Sequence, residues 1–256
     1  MLKNVLLEAT EAGAKVIQYY FNTKNLQISN KEGAYNPVTE ADTASEKAIF
    51  EVIRKHFPDH FILSEESGEM EQASEYKWII DPIDGTVNFA QGIPVCCVSI
   101  AVEKAGEIIM GAVYNPFMNE FYFAEKGKGA TLNGEQIHVT KKADLNKACI
   151  ATGFPYNYVE SENDPLTSIG KFIKNGISVR RLGSAALDLC WVAAGRLDAY
   201  YEHKIHSWDG AAGYIIVKEA GGKVTDLQGN EYSVYQPGIL ASNTILHEDM
   251  LARIHQ

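Results

Sequence analysis

Three short stretches of this chain gather carboxylates where the backbone is expected to turn. In Asp81-Pro82-Ile83-Asp84-Gly85-Thr86-Val87-Asn88-Phe89 two acids flank a proline directly after the apolar run Trp78-Ile79-Ile80. Pro82 has no amide hydrogen and biases Asp81 toward an extended backbone, so the strand is expected to stop and turn there, letting both carboxylates converge. Strand ends are where α/β proteins build their sites. Gly85 and Thr86 then open a helix whose free amides suit a phosphate. Taken alone, the stretch also reads as an acidic turn in which Asp84 or Thr86 caps a helix.

The second stretch, Ser64-Glu65-Glu66-Ser67-Gly68, follows the apolar run Phe61-Ile62-Leu63. Two adjacent acids at a strand end can hold a metal, although such a pair alone is more often a solvated loop. In the third, His206-Ser207-Trp208-Asp209-Gly210-Ala211-Ala212-Gly213, Asp209 opens a helix of small residues, where an acid is also simply a favourable first-turn charge. If the three meet in space, electrostatics decides what must accompany them. Two carboxylates about 4 Å apart at an effective dielectric near 20 repel by roughly 4 kcal/mol, so four gathered acids need protons or divalent cations. Oxygen ligands without a His or Cys cluster favour a hard cation such as Mg²⁺ over Zn²⁺.

The elements that must position these acids are legible from periodicity. Leu2, Val5, Leu6, Ala9, Ala12, Gly13, Val16, Ile17 and Tyr20 form one helical stripe. Thr39-Glu40-Ala41-Asp42 has the capping-box pattern and opens a second helix that runs to His56. Buried strands are expected over Trp78 to Asp81 and Val95 to Glu103, followed by a meander over Glu107 to Tyr114, Glu120 to Ala124 and Glu135 to Val139. Asn115-Pro116 and Asn133-Gly134 supply turns in that meander. After residue 140 strands alternate with helices: a strand at Ala148 to Thr152, then helices over Leu166 to Lys174, from Ser184 to a stop at Gly195, and over Trp208 to Ala220. The chain thus divides into an α+β half, residues 1–140, with most of the clustered acids, and an α/β half, residues 141–256, with Asp209.

Composition excludes several classes of function. The chain has 256 residues, 46% of them apolar, enough for a substantial core. Its net charge of −10 leaves no basic stripe for nucleic acid. The same acidity would repel a phosphorylated substrate unless cations intervene. No apolar run approaches the roughly 20 residues needed to span a bilayer, and no signal peptide is visible, so a cytoplasmic protein without a membrane partner is expected. Cys96, Cys97, Cys149 and Cys190 show no paired spacing and are expected to be small core residues.

With Glu65-Glu66-Ser67, Trp78-Ile79-Ile80-Asp81-Pro82-Ile83-Asp84-Gly85-Thr86 and Trp208-Asp209-Gly210-Ala211-Ala212-Gly213 in this order, the sequence resembles the inositol monophosphatase family of lithium-sensitive, magnesium-dependent phosphatases over nearly its whole length. The resemblance implies an α/β fold, a layered αβαβα sandwich, and a homodimer. It implies that Glu65, Asp81, Asp84, Asp209 and the carbonyl of Ile83 bind two or three Mg²⁺ ions. Glu65 and Thr86 would orient a metal-activated water for in-line attack, with Asp84 also catalytic. The amides of Gly85 and Thr86 would hold the phosphate, and Gly183, Ser184, Ala185 and Glu202 the alcohol. Lys31 and Asp42 resemble residues of an N-terminal loop and following helix that close over the metals. Animal relatives commonly carry an acid where this chain has Asn36, which bears on the third metal and on lithium.

The resemblance makes inositol 1-phosphate the first expected substrate. NADP through its 2′-phosphate, fructose 1,6-bisphosphate and adenosine 3′,5′-bisphosphate are alternatives, because fold and metals are shared across such enzymes. An aspartyl-phosphate mechanism of the haloacid dehalogenase kind uses a D-x-D spacing, whereas this chain has D-x-x-D. A reading from another class is a non-enzymatic role through a protein partner.

Overall fold

The computed structural model describes residues 1–21, 28–30, 37–70, 72–154 and 165–256, and residues 28–30 and 37–38 through their backbone only. Its layers alternate between helices and sheets. An eight-stranded sheet contains, in spatial order, β10 (Glu135–Gln136), β9 (Ala130–Leu132), β8 (Glu120–Glu125), β7 (Glu107–Asn115), β6 (Cys97–Lys104), β5 (Tyr76–Asp84), β3 (Phe61–Ser64) and β4 (Gly68–Met70). A five-stranded sheet contains β12 (Ser178–Arg180), β11 (Cys149–Thr152), β13 (Ala199–Glu202), β15 (Ile239–Asn243) and β14 (Gly222–Thr225). The short strands β1 (Ile28–Asn30) and β2 (Pro37–Thr39) pair separately.

Helices α1 (Leu2–Phe21) and α2 (Glu40–His56) cover one face of the larger sheet. Their apolar stripes meet Trp78, Ile80, Val98 and Ile100 in one core. Leu6, Ile17, Ile49 and Ile53 are fully buried there, each worth on the order of 1.5–3 kcal/mol in surface removed from water. The other face meets α5 (Ala185–Ala193) and α6 (Ser207–Glu219), whose far sides pack on the five-stranded sheet in a second core. Helices α4 (Pro165–Lys174) and α7 (His247–His255) close the last layer. The expected αβαβα sandwich is the observed one.

A helix between two sheets is apolar all round, which explains why α5 reads Leu-Asp-Leu-Cys-Trp-Val with a single acid. The small residues of α6 let it approach both neighbours. A Cβ on Gly213 would lie 2.5 Å from Leu189 Cδ1 of α5, and one on Gly111 of β7 would lie 2.8 Å from the Ala212 carbonyl oxygen.

Two expectations fail in detail. The strand does not stop at Pro82: β5 continues to Asp84, with its register against β6 shifting between Asp81 and Asp84. A proline is tolerated inside a sheet at such an irregularity, where its missing amide breaks no ladder bond. The meander strand over Glu135 to Val139 is paired only at Glu135–Gln136. Beyond it the chain leaves the sheet, and the Val139 amide donates to the Ala220 carbonyl just past α6. Cys96, Cys97 and Cys190 are buried, Cys149 is half-buried, and all four are free thiols, as expected.

Candidate active site

Register brings the first two acidic stretches together. Strand β3 runs parallel to β5 with Ser64 opposite Ile80, so Glu65, just past the end of β3, comes beside Asp81 of β5. The Glu65 amide donates to the Ile80 carbonyl at 3.2 Å. The loop after Glu65 is anchored from α2: the buried Glu46 accepts the Ser67 amide at 3.1 Å and the Ser67 hydroxyl.

The third stretch arrives through β6. Ser99 lies opposite Asp81, and its hydroxyl donates to the Trp208 carbonyl at 3.3 Å, tying the first turn of α6 to the same edge. Asp209 is the third residue of α6 and accepts the His206 amide at 2.9 Å. Asp81, Asp84 and Asp209 each present an oxygen within 4.8 Å of the others. Asp209 is thus both a first-turn acid of α6 and a member of this cluster.

Asp84 is the most tightly held of the three. Its Oδ2 accepts the Ser184 hydroxyl at 2.5 Å and the Ala186 amide at 2.8 Å. Ser184 sits at the N-cap of α5 but makes no cap bond, since its hydroxyl is given to Asp84. Ser184 is buried, and Gly183 and Ala185 are the half-buried neighbours on either side. A Cβ on Gly85, whose φ is +91°, would lie 2.8 Å from the Val95 carbonyl and 3.2 Å from that of Gly183. Only glycine permits this backbone conformation and approach. Asn88, in the five-residue α3 (Thr86–Ala90), donates to the carbonyls of Val95 and Leu182 at 2.8 and 2.7 Å and so joins the two glycine turns.

Asp42 completes the far side. Its Oδ2 accepts the Thr39 amide at 2.8 Å and the Thr39 hydroxyl at 2.6 Å, which is the capping box read from the sequence. Its Oδ1 lies 3.2 Å from the Thr86 hydroxyl, which also lies 2.9 Å from the Ile83 carbonyl. One turn later, Ser45 donates to the Pro82 carbonyl at 3.0 Å and fixes α2 against β5. Asp42 is thus a cap and a neighbour of the cluster at once. Lys31 and Asn36 lie outside the described residues.

Burial, reinforced by neighbouring charge, raises several of the acids here. Burial pushes Asp42 up to about 6 against the hydrogen bonds of Thr39, with the Glu65 charge adding to the rise. Burial likewise pushes Asp84 to about 6, opposed by Ser184 and Ala186. Asp81 and Asp209 are held well above the usual carboxylate range, first by burial and then by their acidic neighbours. Glu202, at the end of β13, is pushed to about 7 by burial, opposed by its Tyr200 hydrogen bond. Asp188, inside α5, is raised by burial and by the charges of Asp84 and Glu202, and its Oδ1 has no hydrogen-bond partner. So many buried acids cannot all be charged without cations, and an all-oxygen donor set suits hard divalent ions.

Asp188 and the anchoring residues Ser45, Glu46 and Ser99 were not singled out from the sequence. Asp188 did carry a signal, as the one charge in an otherwise apolar helix. The serines carried none, because their role depends on which strand lies opposite.

A family model, that of the inositol monophosphatase family, matches residues 2–256. The chain belongs to this family. A Pasteurella multocida protein named Nus factor SuhB is 40% identical over 255 residues, covering 99% of this chain and 95% of the relative. The inositol-1-monophosphatase of Caulobacter vibrioides is 40% identical over 254 residues, 97% of this chain and 99% of that one. Among solved structures, the extragenic suppressor protein suhB of Bartonella henselae matches with a TM-score of 0.93 at 37% identity, over 100% of this chain and 98% of the other. Inositol monophosphatase family members are metal-dependent phosphatases of small phosphorylated substrates, and among the described residues the cluster of Asp81, Asp84 and Asp209 could hold such a metal. No described helix is long and apolar enough to cross a membrane.

Proposed function

We propose that the chain hydrolyses the phosphate monoester of a small polyol, inositol 1-phosphate first, using Mg²⁺. The observation that carries this reading is the convergence of Asp81, Asp84 and Asp209 within 4.8 Å beside the Thr86–Asp42 contact. Glu65, Asp81, Asp84, Asp209 and the Ile83 carbonyl would hold two or three ions. When bound, these neutralise the phosphate and acidify the water that attacks it.

The remaining steps fall to the chain's own groups. Glu65 and Thr86 orient the nucleophile. The Thr86 hydroxyl can accept a proton from it while passing its own hydrogen to Asp42, whose pKa of about 6 leaves it mostly a carboxylate at pH 7.5. The Gly85 and Thr86 amides face the phosphate, while Gly183, Ala185 and Glu202 receive the alcohol. Ser184 acts through its hold on Asp84. Positioning and charge stabilisation supply most of the acceleration, since phosphoryl transfer asks little covalent chemistry of a protein. Glu202 favours a polyol over NADP, fructose 1,6-bisphosphate and adenosine 3′,5′-bisphosphate, because a carboxylate accepts from a hydroxyl but repels a second phosphate.

The test is Mg²⁺-dependent phosphate release from these four compounds, with Asp84→Asn alongside. Efficient turnover of inositol 1-phosphate by the unmutated protein alone supports the reading. Hydrolysis of none of them under any divalent cation overturns it. Cytoplasmic residence, a homodimer, inhibition by lithium and a division into halves near residue 140, between β10 and β11, belong to the same proposal. Light scattering and limited proteolysis check the dimer and the division.

The relatives named Nus factor SuhB favour a second reading, in which the chain acts through a protein partner and catalysis is dispensable. Recovery of one and the same partner by the unmutated and Asp84→Asn proteins in a pull-down supports it.

A further inference from the structure

Gly153 follows the last residue of β11, which lies parallel to β13 with Thr152 opposite Tyr201. One position further along, Gly153 comes beside Glu202. A Cβ on Gly153 would lie 2.2 Å from Glu202 Oε2, 2.6 Å from Cδ and 2.9 Å from Oε1. The whole carboxyl group therefore occupies the space that any side chain at residue 153 would take. Gly153 is not among the glycines with positive φ, so its own backbone conformation is open to other residues. What demands glycine here is the Glu202 carboxyl.

A second group holds the same carboxyl. Tyr200 and Glu202 stand two residues apart on β13 and share a face, and the buried Tyr200 hydroxyl donates to Glu202 Oε2. Glu202 lies close enough to the acid cluster for its charge to act on Asp209 and for that of Asp84 to act on it.

We propose that Gly153 and Tyr200 are positioning residues for substrate selection: together they clamp the Glu202 carboxyl in place to receive a hydroxyl of the alcohol part. The inference rests on the polyol reading above and extends it to residues that touch neither metal nor substrate. A methyl group at residue 153 displaces the carboxyl by about 1 Å to reach ordinary contact, and misplacement on that scale can cost about 100-fold. Because the displaced atoms are the free end of a side chain, the fold itself is not strained.

The experiment compares Gly153→Ala, Glu202→Ala and the double variant in the full-length protein with Mg²⁺. The substrates are whichever of the four phosphates above the unmutated protein turns over fastest and 4-nitrophenyl phosphate, whose alcohol carries no second hydroxyl. Gly153→Ala is expected to lower kcat/KM for the polyol phosphate about 10- to 100-fold, mainly through KM. It should leave 4-nitrophenyl phosphate turnover and the Mg²⁺ activation midpoint within about twofold, and add nothing in the Glu202→Ala background. An equal loss on both substrates, or the same loss in the absence of Glu202, overturns the clamp while leaving the polyol reading intact. Turnover of none of the four phosphates overturns the polyol reading and the clamp with it. Should Gly153→Ala fail to fold, Tyr200→Phe removes only the hydroxyl, and the same selective, Glu202-dependent loss is required of it.

Discussion

Replacing Asp42 by Asn is expected to stabilise the metal-free protein at pH 7.5 and to do much less near pH 4.5. Asp42 is fully buried, and burial outweighs its hydrogen bonds to raise the carboxyl from 3.8 to about 6. A folded-state value above the unfolded one gives stability that is complete below pH 4 and lost as the pH rises through 6. A shift of about two units corresponds to about 3 kcal/mol, reached above pH 7, with about 1 kcal/mol already lost at pH 4.5. Asn carries no charge and still accepts from Thr39 through its amide oxygen, so it escapes this cost. Urea unfolding in EDTA at the two pH values measures the difference between variant and parent, which should widen by about 2 kcal/mol toward pH 7.5. Saturating Mg²⁺ should shrink it, because a cation beside the cluster favours the charged form. Turnover should fall in the same variant. A difference that is equal at both pH values, or a variant less stable than its parent at pH 7.5, would show that burial does not hold the Asp42 carboxyl above its ordinary value.

Ser184→Ala removes the 2.5 Å donor to Asp84, and a hydrogen bond to a charged group is worth about 1.5–3 kcal/mol. The Mg²⁺ concentration giving half-maximal phosphate release should rise about tenfold, and an unchanged midpoint counts against the role assigned to Ser184. His247 is buried between the hydroxyls of Thr225 and Ser242, at 2.9 and 2.8 Å, and burial lowers it to about 4. Its contribution is complete above pH 6.5 and is lost as the pH falls toward 4, by about 3 kcal/mol. NMR titration of its ring checks this, and an ordinary midpoint near 6.5 contradicts it. Gly111→Ala forces β7 and α6 apart and should cost about 1–3 kcal/mol in urea unfolding. No loss there would mean that the layers can shift freely.

Chain chemistry alone determined the acids and their order. The apolar run before Asp81, the capping box at Thr39 and the helical stripe of α1 are local patterns, set by backbone preference and by which face must leave water. The full length of β5 was not legible. A proline at residue 82 predicts a stop when only its own backbone is considered, whereas pairing with β6 carries the strand past it to Asp84. The double role of Asp42 has the same origin: its cap is local, but its distance to Thr86 depends on how α2 packs against β5.

Which distant groups hold the acids in place follows from the packing of the layers alone. Ser99 faces Asp81 because of strand register, Ser184 reaches Asp84 across a hundred residues of chain, and Gly153 faces Glu202 because two parallel strands align. Periodicity says which face of an element is buried, and it carries no information about the partner that buries it. Those pairings follow from close packing of the layers, in which each small or polar side chain is defined by the neighbour it meets.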